Sequence, residues 1–169
     1  MSEIIRPLAV CDAGPLIHLG EIDHAHLLEQ FHPLVVPARV RQEAASFRPP
    51  AGFDAEIVTV TDANLDALAS RLLVRLDAGE LDCLALCRLR PGAIFLTDDL
   101  AARHEAQRLG FAVHGSVGVI VRAFRVGLIT HAEADVALIA LRDCRSLFVT
   151  KAIINLAREQ LTSSAKPQP

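Results

Sequence analysis

Carboxylates, rather than histidines or cysteines, are the residues of this 169-residue chain best placed to do chemistry. Asp12 closes the apolar run 8–11 and is followed by Ala13-Gly14-Pro15, with Leu16, Ile17 and Leu19 beyond. A short run apolar on both faces reads as a central strand of a parallel sheet, and Pro15 suits a first helical turn. Asp12 therefore stands where strand hands over to helix, at the carboxyl edge where open α/β sheets bind their ligands. Asp98 and Asp99 repeat the arrangement between the apolar run 93–97 and the helical segment 100–109. Capping that helix needs only one of the two acids. Asp77 and Glu80, in LDAGELDCLALC, have capping-box spacing. Yet Glu80 shares a helical stripe with Cys83, Leu84 and Cys87, and Asp82 is flanked in the same way by Leu86 and Leu89. A carboxylate buried on such a face must be paired, protonated or metal-bound. Glu43, three residues after Val40 on another helical pattern, points toward the sheet.

The remaining reactive types converge less. His24, His26 and His32 lack the i, i+4 spacing of helical ligands, and no acidic or cysteine partner converges on them in sequence. They read as solvated. Cys11, Cys83, Cys87 and Cys144 have neither zinc-pair spacing nor disulfide density, and they read as small core residues.

The elements that must position the acids follow from the apolar pattern. Strands are expected at 8–11, 34–36, 57–60, 93–97 and 111–114, alternating with helices, which implies a parallel sheet covered on both faces. Gly20 reads as the C-cap of the first helix, Pro37 as the start of the second, and Asn64 as the cap of a helix reaching about residue 73. Gly115-Ser116-Val117-Gly118 reads as a tight turn before a helix that Gly127 ends. From His131 onward the pattern is helical to about 161, and residues 163–169 read as a disordered polar tail after a single domain, 1–162. Half of the chain is hydrophobic, with no Trp or Tyr and seven Phe, so Leu, Val, Ile and Ala build the core. No apolar run approaches a bilayer span and the first residues lack signal-peptide character, so a cytoplasmic protein with no membrane partner is expected. A net charge of −3 opposes bulk electrostatic gripping of nucleic acid. Fifteen of the seventeen basic residues are arginine, which binds phosphate bidentately, so a local phosphate track is compatible with that charge.

Five motifs in order, CDAGPLI, VVPARVRQE, LDAGELDCLALC, IFLTDDLAARHEAQRLG and VHGSVGVIVRAFRVGLI, resemble those of PIN domains. The resemblance runs from Leu8 to about Ile129 and is closest to the branch with D-x-G-E and G-[ST]-x-G motifs, which includes VapC-like toxins. It implies a PIN-like three-layer α/β sandwich whose five parallel strands run in the order 3-2-1-4-5, with a C-terminal helical extension. Asp12 would then lie beside Asp98 and Asp99 at the switch point, with Glu43 and Glu80 leaning in. Four carboxylates brought to about 4–6 Å repel by several kcal/mol per close pair, so such a site takes a dication or protons. Oxygen ligands alone point to Mg²⁺ or Mn²⁺. The implied catalytic residues are Asp12, Glu43, Glu80 and Asp99, and the implied metal ligands Asp12, Glu80, Asp98 and Asp99. Asp82 is the alternative to Glu80, and Ser116 a supporting hydroxyl. The implied activity is metal-dependent cleavage of RNA, with an antitoxin and a second copy of the chain as partners. A PIN-fold interaction module with little or no catalysis is the competing reading. Haloacid-dehalogenase and receiver-domain chemistry require acids where Gly14, Val10 and Cys11 stand.

Overall fold

Ala9, Val10 and Cys11 are wholly buried, because the strand they form is hydrogen-bonded on both edges. This strand, β1 (Ala9–Cys11), lies at the centre of a parallel sheet of order β3-β2-β1-β4-β5, the others being β2 (Leu34–Pro37), β3 (Glu56–Val58), β4 (Ile94–Leu96) and β5 (Ala112–His114). The computed structural model describes residues 5–164. Cys11 pairs with Leu96, and Leu96 with His114. One residue further on, the Asp12 N–H donates to the Leu96 carbonyl and the Thr97 N–H to the His114 carbonyl, both at 2.9 Å. Residues 12, 97 and 98 are thereby held side by side at the carboxyl edge.

Helices cover both faces of the sheet: α1 (Ala13–Glu21), α2 (Ala38–Glu43), α3 (Asp62–Ala69), α4 (Ala78–Leu89), α5 (Leu100–Arg108) and α6 (Ser116–Arg125), with a 3-10 turn at Ala25–Gln30. The C-terminal extension, α7 (His131–Asp143) and α8 (Lys151–Ser164), packs on α6. Almost every residue of α4 from Gly79 to Cys87 is buried, since it lies across β1, β2 and β4 while α2 and α3 cover its outer side. Its Cys83 thiol sits 3.8 Å from the Cys11 carbonyl. That contact brings Glu80, one turn earlier, to the end of β1.

Several local expectations are corrected. Gly20 lies inside α1, which ends at Glu21 with Ile22 as C-cap, and a Cβ on it would stand 3.2 Å from the Phe47 ring. Its role is close approach. Pro37 is the last residue of β2 and the N-cap of α2. The third helix starts at Asp62 behind Thr61 and stops at Ala69. The chain beyond it turns back, tied to α5 by the Leu73 N–H donating to Glu105. Ser116-Val117-Gly118 is the first turn of α6 rather than a free turn, with Gly115 as N-cap. Cys11, Cys83 and Cys87 are core residues, but Cys144 is half-buried and its thiol meets Glu21. The polar tail begins as helix through Ser164, and residues 165–169 lie outside the described residues. No helix among the described residues is long and apolar enough to cross a membrane.

Candidate active site

Asp12 caps α1 and is only 7% exposed. Its Oδ1 accepts from the Ala13 N–H at 2.7 Å and its Oδ2 from the Thr97 hydroxyl at 2.9 Å. Burial pushes its pKa up to about 6, with the charges of Asp77 and Glu43 adding to the rise and the two hydrogen bonds opposing it. Thr97, fully buried, also accepts at Oγ1 from the Asp99 N–H at 3.2 Å. One hydroxyl thus ties the acid of β1 to the acid that caps α5. Asp99 itself accepts from the Ala102 N–H through Oδ1 at 2.8 Å.

Glu80 and Asp77 form the expected capping box: the Glu80 N–H donates to Asp77 Oδ1 at 2.8 Å, and the Asp77 N–H to Glu80 Oε2 at 2.9 Å. The cap does not compensate Glu80 for its burial. Its pKa is pushed up to about 7, first by desolvation and then by the charges of Asp77, Asp99 and Asp12. Glu80, Asp12, Asp99 and Asp77 therefore share one electrostatic neighbourhood. Glu43 is exposed, yet its carboxylate lies against the first turn of α4, where a Cβ on Gly79 would overlap it. Burial and the charges of Asp77 and Asp82 raise its pKa, while Arg39 lowers it. Asp82, 4% exposed, accepts from Arg39 Nε at 3.2 Å through Oδ2, and its buried Oδ1 has no partner among the described residues.

Asp98 faces the other way. Its Oδ1 accepts from the Ser116 N–H at 2.7 Å, and its Oδ2 from the Ser116 hydroxyl at 2.6 Å and from His18 Nδ1 at 2.7 Å. Burial alone would raise its pKa, but these donors hold it below the usual carboxylate range. Asp98 thus fastens β4 to α1 and α6. Asp98→Asn is expected to lower stability by about 2–4 kcal/mol and Ser116→Ala by about 1–2 kcal/mol, read from urea unfolding, since buried charge-assisted bonds are lost. Equal stability of Asp98→Asn and the parent would remove this fastening role.

A family model described as a PIN domain matches residues 8–163, nearly the whole chain. The chain belongs to the PIN-domain family. No curated protein matches it. The PIN domain is a nuclease-type fold whose members typically use divalent metals. In this PIN domain the acids are spread along the edge: among the described residues, no three His, Cys, Asp or Glu side chains already stand as a metal-holding group. The donor set nevertheless fits a hard cation. Asp12 and Glu80 are buried at a carboxylate-rich edge that favours added positive charge or protons, and Asp82 has an unsatisfied oxygen.

Sequence spacing singled out Asp12, Glu43, Glu80, Asp82, Asp98, Asp99 and Ser116. It did not single out His18, Arg39 or the bridging hydroxyl of Thr97. The visible signal for Thr97 is a polar residue at the end of an apolar strand run. His18 and Arg39 stand 80 and 43 residues from their carboxylate partners and carry no local signal.

Proposed function

We propose that this PIN domain is a Mg²⁺- or Mn²⁺-dependent endoribonuclease. The observation that carries the reading is the burial of two carboxylates, Asp12 and Glu80, on neighbouring elements at the switch point of the sheet, where desolvation disfavours their bare charge. Asp12, Glu80 and Asp99 would hold the ion. Asp82, with its unpartnered oxygen, and Glu43 flank them on the α2 side. Asp98, with both oxygens engaged, positions the edge instead of binding the ion. When bound, Mg²⁺ or Mn²⁺ supplies Lewis acidity toward the scissile phosphate and a more acidic water. Thr97 keeps the Asp12 carboxylate in place, and the capping box fixes Glu80 through Oε2.

Millimolar Mg²⁺ or Mn²⁺ is expected to raise the melting temperature, because a ligand of the native state stabilises by mass action. Cleavage of a labelled RNA pool should require the ion and stop with chelator. A chain whose melting ignores both ions and that cleaves no RNA in their presence would favour the interaction-module reading. The likeness of the D-x-G-E and G-[ST]-x-G motifs to VapC-like toxins supports, beyond this, a toxin restrained by an antitoxin and working as a homodimer. Co-expression with the neighbouring reading frame, followed by mass measurement of the recovered complex, tests both.

A further inference from the structure

A row of cations begins at Arg103, beside the acids of the carboxyl edge. His114, the last residue of β5, is half-buried, and burial and then the charges of Arg122, Arg103 and Arg125 hold its pKa below the usual histidine range. Three guanidinium groups from α5 and α6 therefore stand within electrostatic reach of one ring. Arg103 Nη2 donates to the Thr97 carbonyl at 3.3 Å. A Cβ on Gly115 would come 2.5 Å from that same nitrogen and 2.8 Å from Asp98 Oδ1, so the glycine keeps open the place where guanidinium and acid edge meet.

Arg122 and Arg125 continue the line along α6. Arg122 donates to Gln30 Oε1 at 2.8 Å and to the Ile5 carbonyl at 3.4 Å, and it lies 5.3 Å over the Phe31 ring. Arg125 donates to Gln160 Oε1 at 3.0 Å. Among the described residues none of the three enters an ion pair, whereas Arg39, Arg90, Arg108, Arg142 and Arg158 all do. Their neutral partners hold them in position, and none of the three is paired directly with a carboxylate among the described residues. Between α6 and α8, Arg122 and Arg125 border a cavity of about 390 Å³ whose lining also includes His114, Val121, Ile153 and Leu156. Ile153 and Leu156 are 47% and 57% exposed.

We propose that Arg103 and the α6–α8 cleft form the track along which a single RNA strand leaves the acidic centre. Its phosphates lie on Arg103, Arg122 and Arg125, and its bases over Ile153 and Leu156. The assignment rests on the nuclease reading above. A chain of regularly spaced anions with apolar faces matches a row of cations beside an aliphatic floor, and with net charge −3 only such a local row can hold it. The row starts at the edge that would take the scissile phosphate, with Arg103 on the Thr97 carbonyl, and runs on through the cleft that His114 shares with Arg122 and Arg125. An acidic peptide has no group that calls for that continuity.

The test is fluorescence anisotropy of a labelled mixed-sequence single-stranded RNA across a salt series, with chelator present and the full chain carrying Asp12→Asn so that nothing is cut. Arg103→Gln and Arg125→Gln are each expected to weaken binding about three- to tenfold and to flatten the logarithmic salt slope by about 0.7 per lost phosphate contact. Leu156→Ser should weaken binding at unchanged slope. Arg71→Gln and Arg88→Gln, which lie beside a separate cavity, should change neither. The proposal is overturned if the exposed Arg125→Gln variant binds like the parent, if the Arg71 and Arg88 variants lose as much, or if poly-glutamate competes as well as unlabelled RNA. Metal-dependent melting and cleavage by the chain without Asp12→Asn separate the two readings. If both persist while Arg103→Gln and Arg125→Gln bind RNA unchanged, the track alone fails; if both are absent, the nuclease reading fails with it.

Discussion

Asp12→Asn is expected to slow metal-dependent RNA cleavage at least about a hundredfold, a loss of roughly 3 kcal/mol in transition-state stabilisation. The substitution keeps the shape of the side chain and an acceptor for the Ala13 N–H, and the Thr97 hydroxyl can rotate to accept from the new amide. Charge is what disappears. Because that charge contributes to the raised pKa of Glu80, the variant should be at least as stable as the parent without metal. A large loss of rate with no loss of stability separates a ligand from a scaffold residue. Glu80→Gln should cost more than Asp82→Asn, since Glu80 feels Asp12 and Asp99 while Asp82 is neutralised by Arg39. The reverse order would transfer the role to Asp82. Cleavage undiminished in Asp12→Asn would falsify the assigned site and point to a contaminating nuclease.

The metal-free protein should be markedly less stable at pH 8 than at pH 5. Asp12 and Glu80 have folded-state pKa values raised from 3.8 to about 6 and from 4.5 to about 7, so the native chain binds more protons than the unfolded one between these limits. The stability they contribute is complete below about pH 4 and is lost as pH rises through about 6 to 7, at roughly 1–3 kcal/mol per group. Asp98 runs oppositely. Its lowered pKa contributes stability that is present above the unfolded value and is lost on acidification. The steepest decline attributable to Asp12 and Glu80 therefore falls between about pH 4 and 7, and urea unfolding at pH 5 and pH 8 in chelator measures it. Asp12→Asn should flatten the profile. Equal stability of the parent at both values would mean that the two acids are not desolvated together at this edge.

Much of the scaffold was legible because it is written in short-range chemistry. Apolar runs ending in Asp12 and Asp98 marked strand ends, and the Asp77–Glu80 spacing marked a capping box that the structure contains. The strand order came from the resemblance of ordered motifs, since periodicity alone does not say which strands are neighbours. What stayed hidden depends on crossovers. Gly20 looked like a helix terminator, but its lack of a side chain answers to Phe47 on a different segment. Ser116 looked like part of a turn, because nothing local shows that the N–H groups opening α6 meet Asp98 from β4. Local chemistry does not separate Asp98 from Asp99; only the T-x-D pattern of the resemblance, Thr97 followed two residues later by Asp99, favours Asp99. Successive side chains at a strand end point to opposite sides, and here one turns into α1 and α6 while the other caps α5.

The glycine of the D-x-G-E motif has a consequence beyond its own helix. Gly79 is helical, buried and free of any unusual backbone angle, so conformational freedom does not explain it. Its missing methyl group is the seat on which the Glu43 carboxylate rests. The motif therefore records a fit between two segments that meet only after the chain has crossed the sheet, and one methyl at position 79 would move an acid that belongs to α2. A mutation map of this protein would then score Gly79 with the charged residues of the edge, although it has no side chain of its own.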